Sequence, residues 1–148
     1  MRVSVIGGST VEAKRYEQAR DVGRLLAERD HEVVCGGLGG VMEAACQGAS
    51  EAGGHTIGIL PGEDRGAANE YVGTPIATGL GNARNALVVL NGEAAIAIDG
   101  STGTLSEIAL ALDAGRPVAG LATHDVAGVA AVETPLAAVA YVERAVTD

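Results

Sequence analysis

The sequence contains no Phe and no Trp, and only three Tyr. A core cannot be organised around large rings here; it must be assembled from many small Ala, Val, Leu and Ile contacts. Lysine is almost missing as well: nine of the ten basic residues are Arg, and Lys14 stands alone. Against nineteen acidic residues this leaves a formal net charge of −9. So acidic a surface repels nucleic-acid backbones and anionic membranes at long range, and neither is expected as a partner. It also suits a high-salt, halophilic interior, where charges are strongly screened. No apolar run approaches the roughly 18–20 residues that cross a bilayer. Met1 leads directly into an apolar pattern with no basic stretch before it, so a cytoplasmic location is expected.

Thiols and imidazoles are sparse too. Cys35 and Cys46 form no C-x-x-C, and the expectation is two reduced, buried thiols. His31, His55 and His124 are scattered, none with a second ligand at metal spacing, so no metal is expected. His31 and His55 each precede an apolar strand and read as solvated turn residues. The dinucleotide fingerprint G-x-G-x-x-G is absent after the first strand. Cys35-Gly36 stands where a ribose-binding acid would end the second. Both features argue against NAD. There is no G-x-x-x-x-G-K-[ST] and no Ser-His-Asp or Cys-His grouping, which removes P-loop and acyl-transfer chemistry.

What is present is a steady alternation of strands and helices. Residues 2–6 form a β-rich run stopped by Gly7-Gly8, and 11–29 carry helical periodicity with Ala19, Val22, Leu25 and Leu26 on one face. Strands are expected at 31–35, 55–60, 74–78, 94–98, 117–121 and, weakly, 129–132. Helices are expected at 40–52, 82–90 and 104–114, with a last one opened by Thr134 as N-cap and Pro135 at the first helical position. The pattern predicts one α/β Rossmann-like domain over residues 1–148, with a doubly wound parallel sheet of six or seven strands.

In such sheets ligands bind outside the carboxyl ends of the strands. Three Gly clusters fall there: Gly7-Gly8-Ser9, Gly36-Gly37-Leu38-Gly39-Gly40 and Gly100-Ser101-Thr102-Gly103-Thr104. Each could be no more than a tight strand-to-helix turn. Three on one edge favour a ligand, with Gly letting the backbone approach it and helix N-termini offering N–H groups to an anion. The third cluster adds three hydroxyls. Arg84, a lone cation opening an apolar segment, suits a bidentate phosphate or carboxylate contact; the alternative is a surface Arg at a helix start. Thr104-Leu105-Ser106-Glu107 reads as a capping box, with Thr104 as N-cap and Glu107 bonding back to it. Glu43, in a first helical turn after Met42, reads blandly as a helix-dipole partner.

These residues resemble the Lonely Guy and "lysine decarboxylase-like" group, which includes molybdenum-cofactor carrier proteins. The similarity runs over nearly the whole chain: Gly7-Gly8-Ser9 with Tyr16, Ala19 and Gly23; Gly36-Gly37 with Gly40-Val41-Met42-Glu43, Gly48-Ala49 and Ala52-Gly53-Gly54; and Ile57-Gly58-Ile59-Leu60-Pro61-Gly62. Most specific is Ala83-Arg84-Asn85 followed by Gly100-Ser101-Thr102-Gly103-Thr104-Leu105-Ser106-Glu107, which is similar to the family's Arg and its P-G-G-x-G-T-x-x-E motif. Asp99 stands in place of the Pro and Ser101 in place of a Gly. Arg84-Asn85 is the pair typical of the shorter branch nearer the carriers.

The resemblance implies a phosphorylated ligand held by Gly8, Ser9, Gly36, Gly37, Gly40, Met42, Glu43, Gly100, Ser101, Thr102, Gly103 and Thr104. In the hydrolase branch it makes Arg84 and Glu107 a catalytic pair. The first reading is therefore a nucleoside 5′-monophosphate phosphoribohydrolase that needs no cofactor. The alternative is a non-catalytic carrier or sensor of a phosphorylated pterin, such as the molybdenum cofactor, or of a nucleotide. The all-round apolar segment 82–90 must bury a second face, which predicts a homodimer or larger homo-oligomer. The competing expectation is that the tail helix folds back over it.

Overall fold

Strand β1 (Arg2–Gly7) buries four consecutive residues, Val3 to Ile6, as a strand covered on both faces should. Its one polar member, Ser4, donates to the Val88 carbonyl at 2.7 Å, so even the hydroxyl is satisfied in the core. In the computed structural model, which describes all 148 residues, β1 is the central strand of a seven-stranded sheet. The others are β2 (Glu32–Cys35), β3 (Thr56–Leu60), β4 (Thr74–Ala77), β5 (Ala94–Ile98), β6 (Val118–Leu121) and β7 (Val129–Val132). The order is β4-β3-β2-β1-β5-β6-β7 and every pair is parallel. The chain winds outward from β1 to β4, then returns to β5 on the other side of β1. The order reverses between β1 and β5, and the crevice at their carboxyl ends is the place for a ligand.

Helices cover both faces. On one lie α1 (Ala13–Glu28), α2 (Val41–Glu51) and α5 (Pro135–Thr147), around Val3, Val5, Ile96 and Ile98. On the other lie α3 (Asn85–Leu90) and α4 (Thr102–Asp113), around Ile6, Ala95 and Ala97. The lack of large rings is met by close backbone approach. A Cβ on Gly23 or Gly48 would collide with the backbone of Ala45 or Arg20, so α1 and α2 pack main chain against main chain. No helix is long and apolar enough to cross a membrane.

The doubly wound expectation holds, and β5 and β7 begin and end as anticipated. Three local expectations change. The 82–90 segment is not one helix: a 3-10 turn (Gly81–Arg84) precedes the six-residue α3. The tail helix does not cover it, because α5 packs on the opposite face of the sheet. His31 is not a solvated turn residue but is largely buried, while His55 is exposed in the turn before β3 as expected. His31 Nε2 lies 2.9 Å from Glu143, and His55 bridges Glu32 and the Thr74 hydroxyl, so each ties neighbouring elements together. Thr134 caps α5 as expected, accepting from the Ala137 N–H at 3.1 Å.

Candidate functional site

A cavity of about 220 Å³ opens at the carboxyl ends of β1, β2 and β5, at the reversal of strand order. The strand ends supply Gly7, Gly8, Ser9 and Gly36, and the first turns of α2 and α4 supply Met42, Gly103, Thr104 and Glu107. Arg84 and Asn85 close it from the start of α3, beside Asn82. Another cavity, of about 380 Å³, lies at the ends of β6 and β7. The smaller one is the candidate site because of its charges: Arg84 and Glu107, each 8% exposed, are the only charged side chains buried in the molecule, and both line it.

Arg84 is held by its surroundings. Its Nε donates to the Ile59 carbonyl at 2.9 Å, one terminal nitrogen donates to the Asn85 side-chain oxygen, and the other lies 3.4 Å from the Gly36 carbonyl. Three of the five guanidinium N–H groups are thereby used and two are left for a ligand. Gly36 lets Arg84 and Met42 pack against the main chain, since a Cβ there would lie 2.7 Å from both the Arg84 guanidinium and the Met42 sulfur and would have to move them. Burial pulls the Arg84 pKa below its ordinary value, opposed by Glu107, and the group stays cationic.

Glu107 departs from its expected role. Helix α4 begins at Thr102 with Ser101 as N-cap, and no side chain caps it. Thr104 therefore lies inside the helix, 3% exposed, and Glu107 falls in its second turn, so the capping box does not form. The Glu107 carboxyl instead faces the cavity, with no hydrogen bond from the protein and no ion pair to Arg84. Burial raises its pKa to about 7, the Arg84 charge pulling it back only in part. A carboxyl so poised can give or take a proton near neutrality.

The loop before α4 is unusual. Asp99 and Gly100 both have positive φ, 53° and 108°. Three hydrogen bonds from one neighbouring segment hold it: Asp99 N–H to the Leu121 carbonyl (3.2 Å), Thr123 Oγ1 to the Asp99 carbonyl (2.6 Å) and His124 Nε2 to the Ser101 carbonyl (2.9 Å). The first helical bond of α4 runs from Leu105 N–H to the Ser101 carbonyl. The amides of 102–104 thus have no partner within the helix and are placed to meet an anion.

Of the residues singled out in the sequence, Gly8, Ser9, Gly36, Met42, Arg84, Ser101, Gly103, Thr104 and Glu107 share this cavity. Gly37, Gly40, Glu43, Gly100 and Thr102 are not among its lining. Glu43 sits on α2 near Tyr16, whose hydroxyl pKa is raised by burial and then by that carboxylate. Gly37, Gly40 and Gly100, all at positive φ, shape the loops instead. Sequence reasoning assigned no role to Leu38, Asn82 or Asn85, which also line the cavity. Asn85 was legible only as the neighbour of Arg84.

The cavity can be set beside known proteins. A protein of unassigned role from Archaeoglobus fulgidus is 42% identical over 142 residues, 95% of this chain and 93% of that one. The molybdenum cofactor binding protein of Rippkaea orientalis superposes with a TM-score of 0.91 at 35% identity, covering 97% of this chain and 95% of its own. The molybdenum cofactor carrier protein of Chlamydomonas reinhardtii gives 0.89 at 31%, covering 99% and 98%. Of the group the sequence resembles, the carrier side is the one these neighbours represent. The family model for SLOG cluster4 matches residues 1–146, and the chain belongs to the SLOG cluster4 family.

Proposed function

We propose that the protein binds a phosphorylated, nucleotide-like small molecule in the Arg84–Glu107 cavity and serves as its carrier, with a phosphorylated pterin of the molybdenum-cofactor type as the ligand. The observation that carries this reading is likeness over nearly the full chain to two proteins described as binding or carrying that cofactor. The residues fit such a cargo. The free amides of 102–104 suit its phosphate, the guanidinium of Arg84 a further anionic or carbonyl oxygen, and Gly8 and Gly36 let a flat ring approach the main chain. Titration calorimetry with a pterin phosphate and with AMP tests it. Micromolar binding of the pterin, weakened at least tenfold by Arg84→Ala, is expected; no binding of the pterin by the wild-type protein overturns it.

A second reading is favoured by the buried carboxyl with a pKa of about 7. Here the protein hydrolyses the N-glycosidic bond of a nucleoside 5′-monophosphate through an oxocarbenium-like transition state. Arg84 holds and polarises the substrate, and Glu107 protonates the departing base or activates water. Chromatography of AMP incubations distinguishes the two. Free adenine that disappears with Glu107→Gln, while monophosphate affinity stays within a few fold, selects the hydrolase; no release selects the carrier.

The functional unit is proposed to be a homodimer joined through the outer faces of α3 and α4. Leu90, Leu105 and Leu110 stand 50%, 41% and 39% exposed there, and no other element of the same chain covers them.

A further inference from the structure

We infer that the cleft at the ends of β6 and β7 is a second binding site, for a small zwitterion of free amino-acid size, and that its occupancy is felt in the anion-binding loop. The cleft measures about 380 Å³, within the range of small-molecule sites. One wall is the first turn of α1, which presents Lys14 and Arg15. Asp125 and Glu133 also line the cleft, with the apolar Val126 and Val129. On the neighbouring surfaces of α1, Arg20 and Arg24 are each in an ion pair. None of the four charged residues of the cleft is, and Arg15 is held by the amide of Gln18 at 2.8 Å instead of by an acid. Two cations and two carboxylates without ion-pair partners, lining one cleft together with apolar side chains, complement a ligand with a carboxylate, an ammonium and a small apolar body. A plain anion would meet Asp125 and Glu133, and a plain cation would meet Lys14 and Arg15.

The coupling follows from the shared wall. Leu121, Thr123 and His124 line this cleft, and the same three residues make the hydrogen bonds that shape the 99–101 turn. That turn leads into the free amides of α4, and Ser101 lines the first cavity. A ligand that fixes or shifts the 121–124 segment therefore changes how those amides are presented. Only this coupling rests on the proposed phosphate site; the second site itself does not.

The experiment is calorimetry and thermal shift of the intact protein with each of the twenty free amino acids up to about 10 mM. At least one amino acid is expected to bind, and Lys14→Ala and Glu133→Gln are each expected to weaken it tenfold or more while AMP affinity in its absence is unchanged. No binding by any of the twenty, or binding indifferent to both substitutions, overturns the site. With the amino acid present, AMP affinity is expected to change about fivefold or more, the lower end of ordinary coupling between sites. Should AMP itself not bind, amide hydrogen exchange of 99–104 supplies the readout. Exchange unchanged by the amino acid overturns the coupling.

Discussion

The behaviour of the candidate site turns on one buried carboxyl. Folding raises the pKa of Glu107 from the ordinary 4.5 to about 7. Between those values the folded chain holds a proton that the unfolded chain has lost, so stability falls as pH rises through the window and the penalty is complete above it. At about 1.4 kcal/mol per unit the ceiling is roughly 3 kcal/mol. Glu107→Gln is therefore expected to raise stability by about 1–3 kcal/mol at pH 8, part of the gain offset by Arg84 losing its counter-charge. It should change little at pH 4.5. Urea unfolding of both proteins at the two pH values checks this, and equal stabilities at pH 8 would contradict the buried, unpaired carboxyl. Gly36 is the second sensitive residue. Gly36→Ala places a methyl against the Arg84 guanidinium and the Met42 sulfur. A stability loss of about 1–3 kcal/mol is expected, with monophosphate affinity falling more than tenfold as Arg84 shifts.

At the scale of elements, two helix starts that the sequence marks with an N-cap Thr differ in kind. At α5 the Thr134 cap is real and the side chain is exposed. Thr134→Ala is expected to cost about 1 kcal/mol and to lower the Tm by roughly 2–4 °C. At α4 the Thr104-x-x-Glu107 spacing imitates a capping box, but Asp99 and Gly100 turn the chain early and the helix starts at Thr102. Ser101, the actual N-cap, makes no capping bond. Ser101→Ala should leave stability within about 0.5 kcal/mol of wild type; scanning calorimetry of both variants reads the difference. The spacing of four residues is local and legible. Which turn they occupy depends on the bonds from Leu121, Thr123 and His124, some twenty positions later in the chain. The break before α3 also coincides with long-range bonds: Arg84, the last residue of the 3-10 turn, donates to the Ile59 carbonyl of β3 and lies 3.4 Å from the Gly36 carbonyl just after β2.

At the scale of the whole molecule, the sheet buries its apolar faces within the chain, and several large apolar side chains remain exposed, three of them on α3 and α4. The proposed contact surface is the outer side of α3 and α4, where Leu90, the last residue of α3, is half exposed. A homodimer through it is expected at micromolar concentration by light scattering. Leu90→Glu should shift the protein to monomer without loss of secondary structure by circular dichroism. A wild-type monomer in high and low salt, or a dimer unaffected by Leu90→Glu, would refute that surface. With a net charge of −9 the proposed association is expected to depend on salt: higher ionic strength screens the repulsion between like-charged subunits and should favour the dimer.

By itself the sequence determined the alternation of strands and helices, the parallel sheet and the Gly turns along its carboxyl edge; it marked Arg84 as a lone cation in an apolar segment, and Glu107 only through the family resemblance. Apolar periodicity and Gly placement are local signals, and a parallel sheet with covered faces is what they permit. Tertiary structure alone decided that Arg84 and Glu107 meet in one cavity, that Glu107 is desolvated and not a cap, and that Glu43 stays outside. It also decided that the tail helix packs on the far face and that four unpaired charges converge at β6 and β7. Each of these depends on residues far apart in the chain. Burial, proximity and the pKa shifts they cause are properties of the assembled sheet, and no window of sequence contains them.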